Sequence, residues 1–377
     1  MAGWGSLAVA PRIGAHSETR RILLQSEEAR VDLRTFLYRL PKAELHTHLA
    51  GTVSGGTFLE LARKNEVDVS ALTAHGKVYD FRRWTLPQML LAYRLVGKSL
   101  RDRADFERVT YETLHEAADC GVRYREMSWS PTDHLDVGVP YQLTLQGIVD
   151  GIKAAEADFG IQCRLIAAIN REDTPERAQE LVRMVTESPS EYVIGVGMDY
   201  DETANPPEQF WKAFKLAASR GLHRTAHACE IGGPPRNVET CLDLLGCERI
   251  DHGYRVLESP EITQRCAGEG VVFCVVPTTM RYVPRDDQGE LVWRAHPIRS
   301  MVEQGLRVAV NSDDPGIMET NPAEAYVIAS WMGFRPQDFK AFVLNGLAAS
   351  WLEDGVKAEW IRGWSEEVDA LLSQVGP

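Results

Sequence analysis

The sequence lacks long apolar runs, closely spaced cysteine pairs and an excess of basic residues. No segment reaches the roughly 18 consecutive apolar residues of a membrane-spanning helix, so a membrane protein is not expected. Acidic residues outnumber Lys and Arg by 54 to 41, and the net charge of -13 repels polyanions, which argues against a nucleic-acid partner. A small molecule with little charge, bound in a local cleft, is compatible with this surface.

The cysteines also exclude one class of protein. There are seven, an odd number, and none forms a Cys-x-x-Cys pair. Scattered thiols are typical of a reducing compartment, where free cysteine packs as a small hydrophobic residue. Residues 1–21 contain several charges and no continuous apolar run before a small-residue cleavage site, so a secretory signal is not predicted. We therefore expect a cytoplasmic protein.

Repeats, low-complexity tracts and Ser/Gly-rich linkers are absent as well. With 44% apolar and 25% charged residues, the chain has the composition of an ordinary globular protein. Residues 1–377 are therefore predicted to form a single domain. The sequence neither indicates nor excludes assembly into a homo-oligomer.

Short apolar runs recur along the chain and alternate with stretches of helical periodicity. The runs cover residues 43–48, 122–129, 163–169, 192–198, 223–227, 249–252, 271–275 and 307–311. Helical stretches between them include residues 174–186, 207–219 and 298–304. Strands that alternate with helices pair in parallel through right-handed crossovers. Eight such units predict an α/β fold, the (β/α)8 TIM barrel.

Two segments interrupt this alternation. Residues 1–40 form a helical N-terminal extension, in which 31–40 has the pattern of an amphipathic helix that plugs or flanks the barrel. Residues 52–121 form a helical insertion after strand 1, and its part 81–100 is rich in Trp, Leu, Met and Tyr. Long insertions of this kind lie at the catalytic face of a barrel, so we predict a lid. The alternative is ordinary packing of helices against the barrel.

Candidate metal ligands lie at the ends of several runs. His46 and His48 end the first run, and residues two apart on a strand point to the same side, so both can bind one metal ion. His227 closes the fifth run, His252 closes the sixth, and Asp313 follows the eighth. Barrel active sites collect side chains from several strand ends. Histidine nitrogens completed by a carboxylate suit zinc and leave a position for water.

Four motifs occur in order along the chain: PKAELHTHL at 41–49, HACE at 227–230, RIDHGY at 249–254 and NSDDP at 311–315. Together they resemble the motifs of the adenosine deaminase family within the amidohydrolase superfamily. The resemblance extends from about residue 31 to the C-terminal helices. It implies a zinc-dependent hydrolytic deaminase that releases ammonia from an adenine nucleoside or a related aminated heterocycle.

The resemblance also implies a role for each residue of these motifs. Four residues are the implied ligands of one zinc ion per chain: His46, His48, His227 and Asp313. Glu230 is the implied general acid, which protonates the ring nitrogen beside the attacked carbon. His252 is implied to orient the attacking water, Asp313 to accept its proton, and Asp314 to bond the purine at N7. Taken singly, such residues could instead be a core histidine, a helix-start carboxylate or a turn.

The positions that contact substrate depart from the family pattern. Ala50 occupies the place of an Asp that bonds the ribose 5′-hydroxyl, and the loop that begins at Asp199 lacks the glycine that meets purine N3. Cys229 replaces a glycine and is expected to narrow the pocket. The substrate is therefore predicted to be a modified adenine nucleoside or another aminated heterocycle. The predicted contact positions are His48, Ala50, Asp199 and Asp314.

Two other functions are left open. An amidohydrolase of another cyclic amidine or amide often uses two metals and a bridging lysine, but Lys153 and Lys212 fall in predicted helices. A non-catalytic binding relative would keep the barrel for structural reasons alone, yet the implied ligands, acid and water-orienting residue are all present. Ammonia release from a panel of aminated purines, pterins and pyrimidines separates these functions.

Overall fold

The computed structural model describes residues 31–73 and 77–376. Eight parallel strands form one sheet, in which each strand pairs with the next along the chain. Seven of the eight predicted runs agree with these strands to within one residue at either end, and the barrel is confirmed. The strands are Lys42–Glu44 (β1), Val122–Trp129 (β2), Gln162–Asn170 (β3), Val193–Asp199 (β4), His223–Ala228 (β5), Arg249–His252 (β6), Val272–Val275 (β7) and Arg307–Val310 (β8).

Only β1 differs from its predicted run by more than one residue at an end, because the chain after it pairs irregularly with the segment after β8. The Asn311 side-chain oxygen accepts hydrogen bonds from the backbone N–H groups of Leu45 at 2.7 Å and His46 at 3.1 Å. The N–H of Asp313 donates to the carbonyl of His46, and the N–H of His48 donates to the carbonyl of Asp313. A side chain thus replaces part of the regular ladder and closes the barrel where the two predicted histidines lie.

Helices separate successive strands. The α-helices are Leu33–Arg39 (α1), Leu49–Thr52 (α2), Gly55–Lys64 (α3), Ser70–Thr73 (α4), Leu86–Lys98 (α5), Arg103–Asp119 (α6), Pro131–Leu135 (α7), Tyr141–Phe159 (α8), Pro175–Glu187 (α9), Trp211–Ser219 (α10), Arg236–Glu239 (α11), Pro260–Glu269 (α12), Pro297–Glu303 (α13), Pro322–Trp331 (α14), Asp338–Ala349 (α15) and Asp354–Gln374 (α16). Short 3₁₀ helices cover Phe81–Arg83, Pro207–Phe210, Tyr254–Glu258, Met280–Tyr282 and Trp293–Ala295, and a π turn covers Thr240–Leu244. In the part of the chain that the structure describes, no helix has both the length and the apolar character needed to cross a membrane.

The described part of the N-terminal extension lies at the amino end of β1. Lys42, the first residue of β1, is buried, and its ammonium group donates to the carbonyls of Leu37, Leu40 and Cys120 at 2.8–2.9 Å. These bonds fasten α1 beside the barrel, at the end opposite the carboxyl ends of the strands. The rest of the predicted extension, residues 1–30, lies outside the described residues.

The insertion after β1 divides into two parts with different positions. Helix α6 packs against α8, where Gly147 and Gly151 allow the backbones to approach: a Cβ at either position would lie 2.5 Å from a carbonyl oxygen of α6. Helix α5 instead extends over the carboxyl ends of the strands, where Met89 and Tyr93 line a cavity. One part therefore belongs to the outer helical layer, and the other covers the candidate site.

Candidate active site

A cavity of about 50 Å³ lies at the carboxyl ends of the strands. Its polar wall comes from strand ends and the loops that follow them, and comprises His48, Asp199, Tyr200, His227, Glu230, His252, Asp313 and Asp314. Its apolar wall comes from α5 and comprises Leu86, Met89, Leu90 and Tyr93. The structure thus brings together nearly all the predicted site residues under the predicted lid.

The predicted metal ligands converge on one point. The Nε2 atoms of His46 and His48 lie 3.1 Å and 3.3 Å from the same carboxylate oxygen of Asp313. The ring centroid of His227 lies 4.6 Å from that of His46 and 5.2 Å from that of His48. His252 also belongs to this cluster, because single ligand atoms of His46, His227, His252 and Asp313 all lie within 4.8 Å of one another. All five residues are buried.

Three of these imidazoles have a carboxylate near their Nδ1 atom. The two oxygens of Asp251 lie 3.1 Å from Nδ1 of His46 and 3.7 Å from Nδ1 of His227. An oxygen of Asp199 lies 3.3 Å from Nδ1 of His48. A carboxylate at Nδ1 orients the ring and leaves Nε2 for a metal ion. By contrast, Nδ1 of His252 faces the hydroxyl of Tyr254 at 3.3 Å.

Asp251 is a functional residue that the sequence reasoning did not assign. It is buried, and one of its oxygens also accepts a hydrogen bond from the Thr225 hydroxyl at 2.9 Å. In the sequence, its place directly before His252 in the motif RIDHGY was the one indication that Asp251 belongs to the site. Only the fold shows that it contacts His46 and His227. Asp199, predicted to contact substrate, lines the cavity and also lies against His48.

We expect Asp251→Asn to lower zinc affinity by about 10- to 100-fold, since residues that orient a metal ligand contribute on this scale. The amide keeps the volume but removes the negative charge shared by two imidazoles. Zinc dissociation is measured by competition with a chromogenic chelator, with Asp243→Asn on the exposed π turn as the control. Unchanged zinc affinity would show that Asp251 has only a packing role.

The electrostatics of the cluster favour a bound cation. Burial and the neighbouring imidazoles of His46 and His252 hold the pKa of His227 well below its ordinary value. Burial would raise the pKa of Asp313, but His46 and His48 outweigh it and hold that pKa well below the ordinary value. Burial lowers the pKa of His46, but Asp251 and Asp313 outweigh it and raise that pKa to about 9, so the carboxylates draw positive charge to the cluster. A metal ion binds neutral imidazole and ionised carboxylate, so it would replace the protons that these histidines hold. Nitrogen donors with one carboxylate therefore fit zinc.

Glu230 lies at the edge of this cluster, with a carboxylate oxygen 3.9 Å from Nε2 of His252. Burial raises the pKa of Glu230 to about 7, Arg281 opposes this shift, and Asp313 and Glu202 add to it. A carboxyl group with such a pKa is protonated in part at neutral pH and can act as a general acid.

Glu202 holds the loop that carries Glu230, a role that the sequence reasoning missed. Its carboxylate accepts hydrogen bonds from the backbone N–H groups of Cys229, Glu230 at 2.8 Å and Ile231 at 3.3 Å. Gly233 leaves room for this carboxylate, since a Cβ there would lie 1.9 Å from Glu202 Oε1. The acidic run at residues 199–202, which begins at the end of β4, was the one indication of this role in the sequence. The hydrogen bonds join residues at least 27 positions apart, so no local pattern predicts them.

Four residues other than glycine adopt left-handed backbone conformations at the strand ends. The φ angles are 69° at Tyr200, 59° at Cys229, 65° at His252 and 64° at Asp313. Such conformations are rare for residues with a Cβ and concentrate at functional sites.

At Cys229 the Sγ donates to the carbonyl of Pro234 at 3.0 Å, and the residue does not line the cavity. The expectation that Cys229 narrows the pocket was therefore wrong.

Asp314 and Ala50, both predicted to contact substrate, differ in position. Asp314 lines the cavity, and Gly51 packs so closely that a Cβ there would lie 1.6 Å from Asp314 Oδ1. Ala50 is buried in α2 and is not part of the cavity wall. Lys153 and Lys212 lie in α8 and α10 as predicted, and no lysine of the described residues lines the cavity.

A (β/α)8 barrel that gathers histidines and aspartates at its strand ends, beside a half-buried glutamate, defines a hydrolase of the amidohydrolase superfamily. The adenosine deaminase family model matches residues 41–367. The adenine deaminase of Rhodospirillum rubrum is 32% identical over 86% of this chain and 96% of its own length. The chain therefore belongs to the adenosine deaminase family and is a hydrolytic deaminase that acts on C–N bonds.

Two solved structures are similar over nearly the whole chain. An amidohydrolase from Burkholderia ambifaria with bound zinc is 39% identical, with a TM-score of 0.82 over 90% of this chain and 93% of that one. The adenine deaminase of Arthrobacter aurescens is 30% identical, with a TM-score of 0.79 over 88% of this chain and 99% of that one. An N6-mAMP deaminase from Arabidopsis, at 23% identity and a TM-score of 0.74, shares the fold.

Proposed function

We propose that this enzyme is a zinc-dependent deaminase of an aminated purine. Its one zinc ion per chain is held by His46, His48, His227 and Asp313. The observation that carries this ligand set is the carboxylate behind each of the three imidazoles, because metal-binding histidines almost always direct their second nitrogen to such a partner. His252 has a phenol in that place and is left to orient water. The zinc in the similar Burkholderia structure supports the choice of metal.

The cavity favours a free purine base over a nucleoside. The residues that α5 contributes to the cavity wall are mostly apolar and offer few hydrogen-bond partners to the hydroxyls of a ribose. The names of the similar enzymes from Rhodospirillum and Arthrobacter, both adenine deaminases, support the same substrate. A flat heterocycle between an apolar roof and a polar floor is thus the class of substrate we assign.

Zinc held by His46, His48, His227 and Asp313 would lower the pKa of water to about 7 and would so supply a nucleophile at neutral pH. Glu230 donates a proton to the ring nitrogen beside the amine-bearing carbon, which breaks the aromaticity that resists attack. His252 orients the attacking water, while Asp313 accepts its proton and passes it to the leaving amine. Asp314 contacts the ring at N7. Water adds and the C–N bond breaks, the hydroxyl proton of the adduct returns to Glu230 as the C=O bond forms, and ammonia and the oxo-purine are the products.

This proposal predicts ammonia release from adenine with one zinc ion per chain. We expect a higher kcat/KM for adenine than for adenosine, because the mostly apolar wall from α5 gives the ribose hydroxyls few hydrogen-bond partners. Enzyme-coupled ammonia detection measures turnover, and elemental analysis measures the metal. A stoichiometric second metal, or full activity after thorough metal removal, would contradict the zinc assignment. Absence of turnover on every aminated purine, pterin and pyrimidine would favour a non-catalytic binding protein.

The cellular setting also stays a prediction. All seven cysteines are buried and free, as expected for a reducing compartment. A cytoplasmic enzyme with a small-molecule substrate, and without a nucleic-acid partner, agrees with this and with the acidic surface.

A further inference from the structure

A second and much larger cavity lies beside the catalytic one. This groove, which we call the Arg281 groove, has a volume of about 770 Å³, and its main residues are Phe81, Trp84, Arg281, Arg285, Glu290 and Trp293. Two segments form it: the turn before α5, and the loop between β7 and α13. The catalytic cavity is the smaller of the two, at about 50 Å³.

The groove borders the side of the site on which Glu230 and His252 lie. The ring of Tyr282, next to Arg281, lies 4.9 Å from that of Tyr254, whose hydroxyl faces His252. On the opposite wall, Trp84 directly precedes α5, the helix that roofs the catalytic cavity.

The groove differs in charge from the rest of the protein. Arg281 is exposed, and none of the described residues forms a hydrogen bond or ion pair with its guanidinium group. Arg285 donates to the carbonyl of Gly289 and keeps its charge. Among the described residues, Glu290 is the one carboxylate on the groove wall, and Asp286 and Asp287 lie in the turn before it. An unpaired guanidinium group can bind an anion, and the aromatic rings around it can contact a carbon chain. The groove thus suits an anion with a carbon chain, although the chain as a whole has a net charge of -13.

We propose that the Arg281 groove is a subsite for a carboxylate-bearing substituent on the exocyclic amine of the substrate, and that Arg281 binds this carboxylate. The inference rests on the proposed function, because it takes Glu230 as the acid beside the amine-bearing carbon. Phe81, Trp84 and Trp293 contact the carbon chain of the substituent. Water adds to the ring carbon, the bond from that carbon to the substituted nitrogen breaks, and a primary amine carrying the carboxylate leaves instead of ammonia.

The test compares three substrates that share one ring: adenine, N6-(2-carboxyethyl)adenine and its neutral near-isostere N6-(2-carbamoylethyl)adenine. We expect wild-type kcat/KM for the carboxylate to exceed that for the carboxamide by about tenfold, as for a charge-assisted hydrogen bond. Arg281→Gln should remove this preference and Arg281→Lys should restore part of it. The ratio of the two substituted substrates cancels any effect of Arg281 on the acid. Arg335→Gln, an exposed arginine next to α15, is the matched control.

The outcomes separate the subsite from the reaction. Equal use of carboxylate and carboxamide by the wild type, or an unchanged ratio in Arg281→Gln, overturns the subsite while adenine turnover keeps the proposed function. If adenine is not turned over, calorimetric Kd values for the two substituted purines still decide the subsite. Tighter binding of the carboxylate that is lost in Arg281→Gln supports it, and equal Kd values refute it.

Discussion

Glu230→Gln is expected to lower kcat by about 10²- to 10⁴-fold, the usual contribution of general acid catalysis. Glutamine keeps the shape of the side chain but cannot donate a proton to a ring nitrogen, so the barrier to attack on the aromatic ring stays high. The Glu202 carboxylate still holds the backbone of the loop, since it bonds N–H groups that the substitution leaves in place. Zinc content and thermal stability should therefore match the wild type. The measurement is kcat for adenine, with elemental analysis and a melting curve on the same sample.

Glu261→Gln, on the exposed first turn of α12, is the matched control and should leave kcat unchanged. Turnover of Glu230→Gln close to that of the wild type would remove Glu230 from the mechanism. Loss of zinc or of stability in the variant would instead make it a structural residue of the loop.

The second large effect separates metal ligands from the residue that orients water. His48→Asn should lower zinc affinity and activity together. The loss of zinc affinity should exceed the roughly 10- to 100-fold expected when a carboxylate that orients a ligand is removed. His252→Asn should keep zinc and lose activity alone. The physical reason is the partner at Nδ1, which is a carboxylate for His48 and a phenol for His252. Zinc occupancy and kcat/KM are measured on both variants in parallel.

The opposite pattern has a definite meaning as well. The four ligand atoms that all lie within 4.8 Å of one another belong to a set that contains His252 and not His48. Zinc lost from His252→Asn and kept by His48→Asn would assign the ion to that set, and His48 would then be a substrate contact. Equal loss from both would indicate five coordinating residues.

The positions of the candidate site residues along the chain could be predicted because they depend on local patterns. Apolar runs of strand length alternate with helical periodicity, and the carboxyl ends of parallel strands meet on one face of a barrel. His227, His252 and Asp313 could thus be assigned to a common site before any distance was known. The spacing of His46 and His48 likewise follows from the two-residue period of a strand, although their segment pairs through Asn311 in place of a regular ladder.

Contacts between loops depended on the tertiary structure, because no local period relates residues that follow different strands. Glu202 binds the loop at Glu230 from 28 residues away, and Asp251 orients His46 from the far side of the barrel. The side chain of Cys229 turns to Pro234 because of its backbone angle, which sequence comparison does not report. The order of the strands, which the sequence predicts, determines which residues lie at the site. The conformations of the loops, which only the tertiary structure shows, determine which of these residues are in contact and how large and how charged the neighbouring groove is.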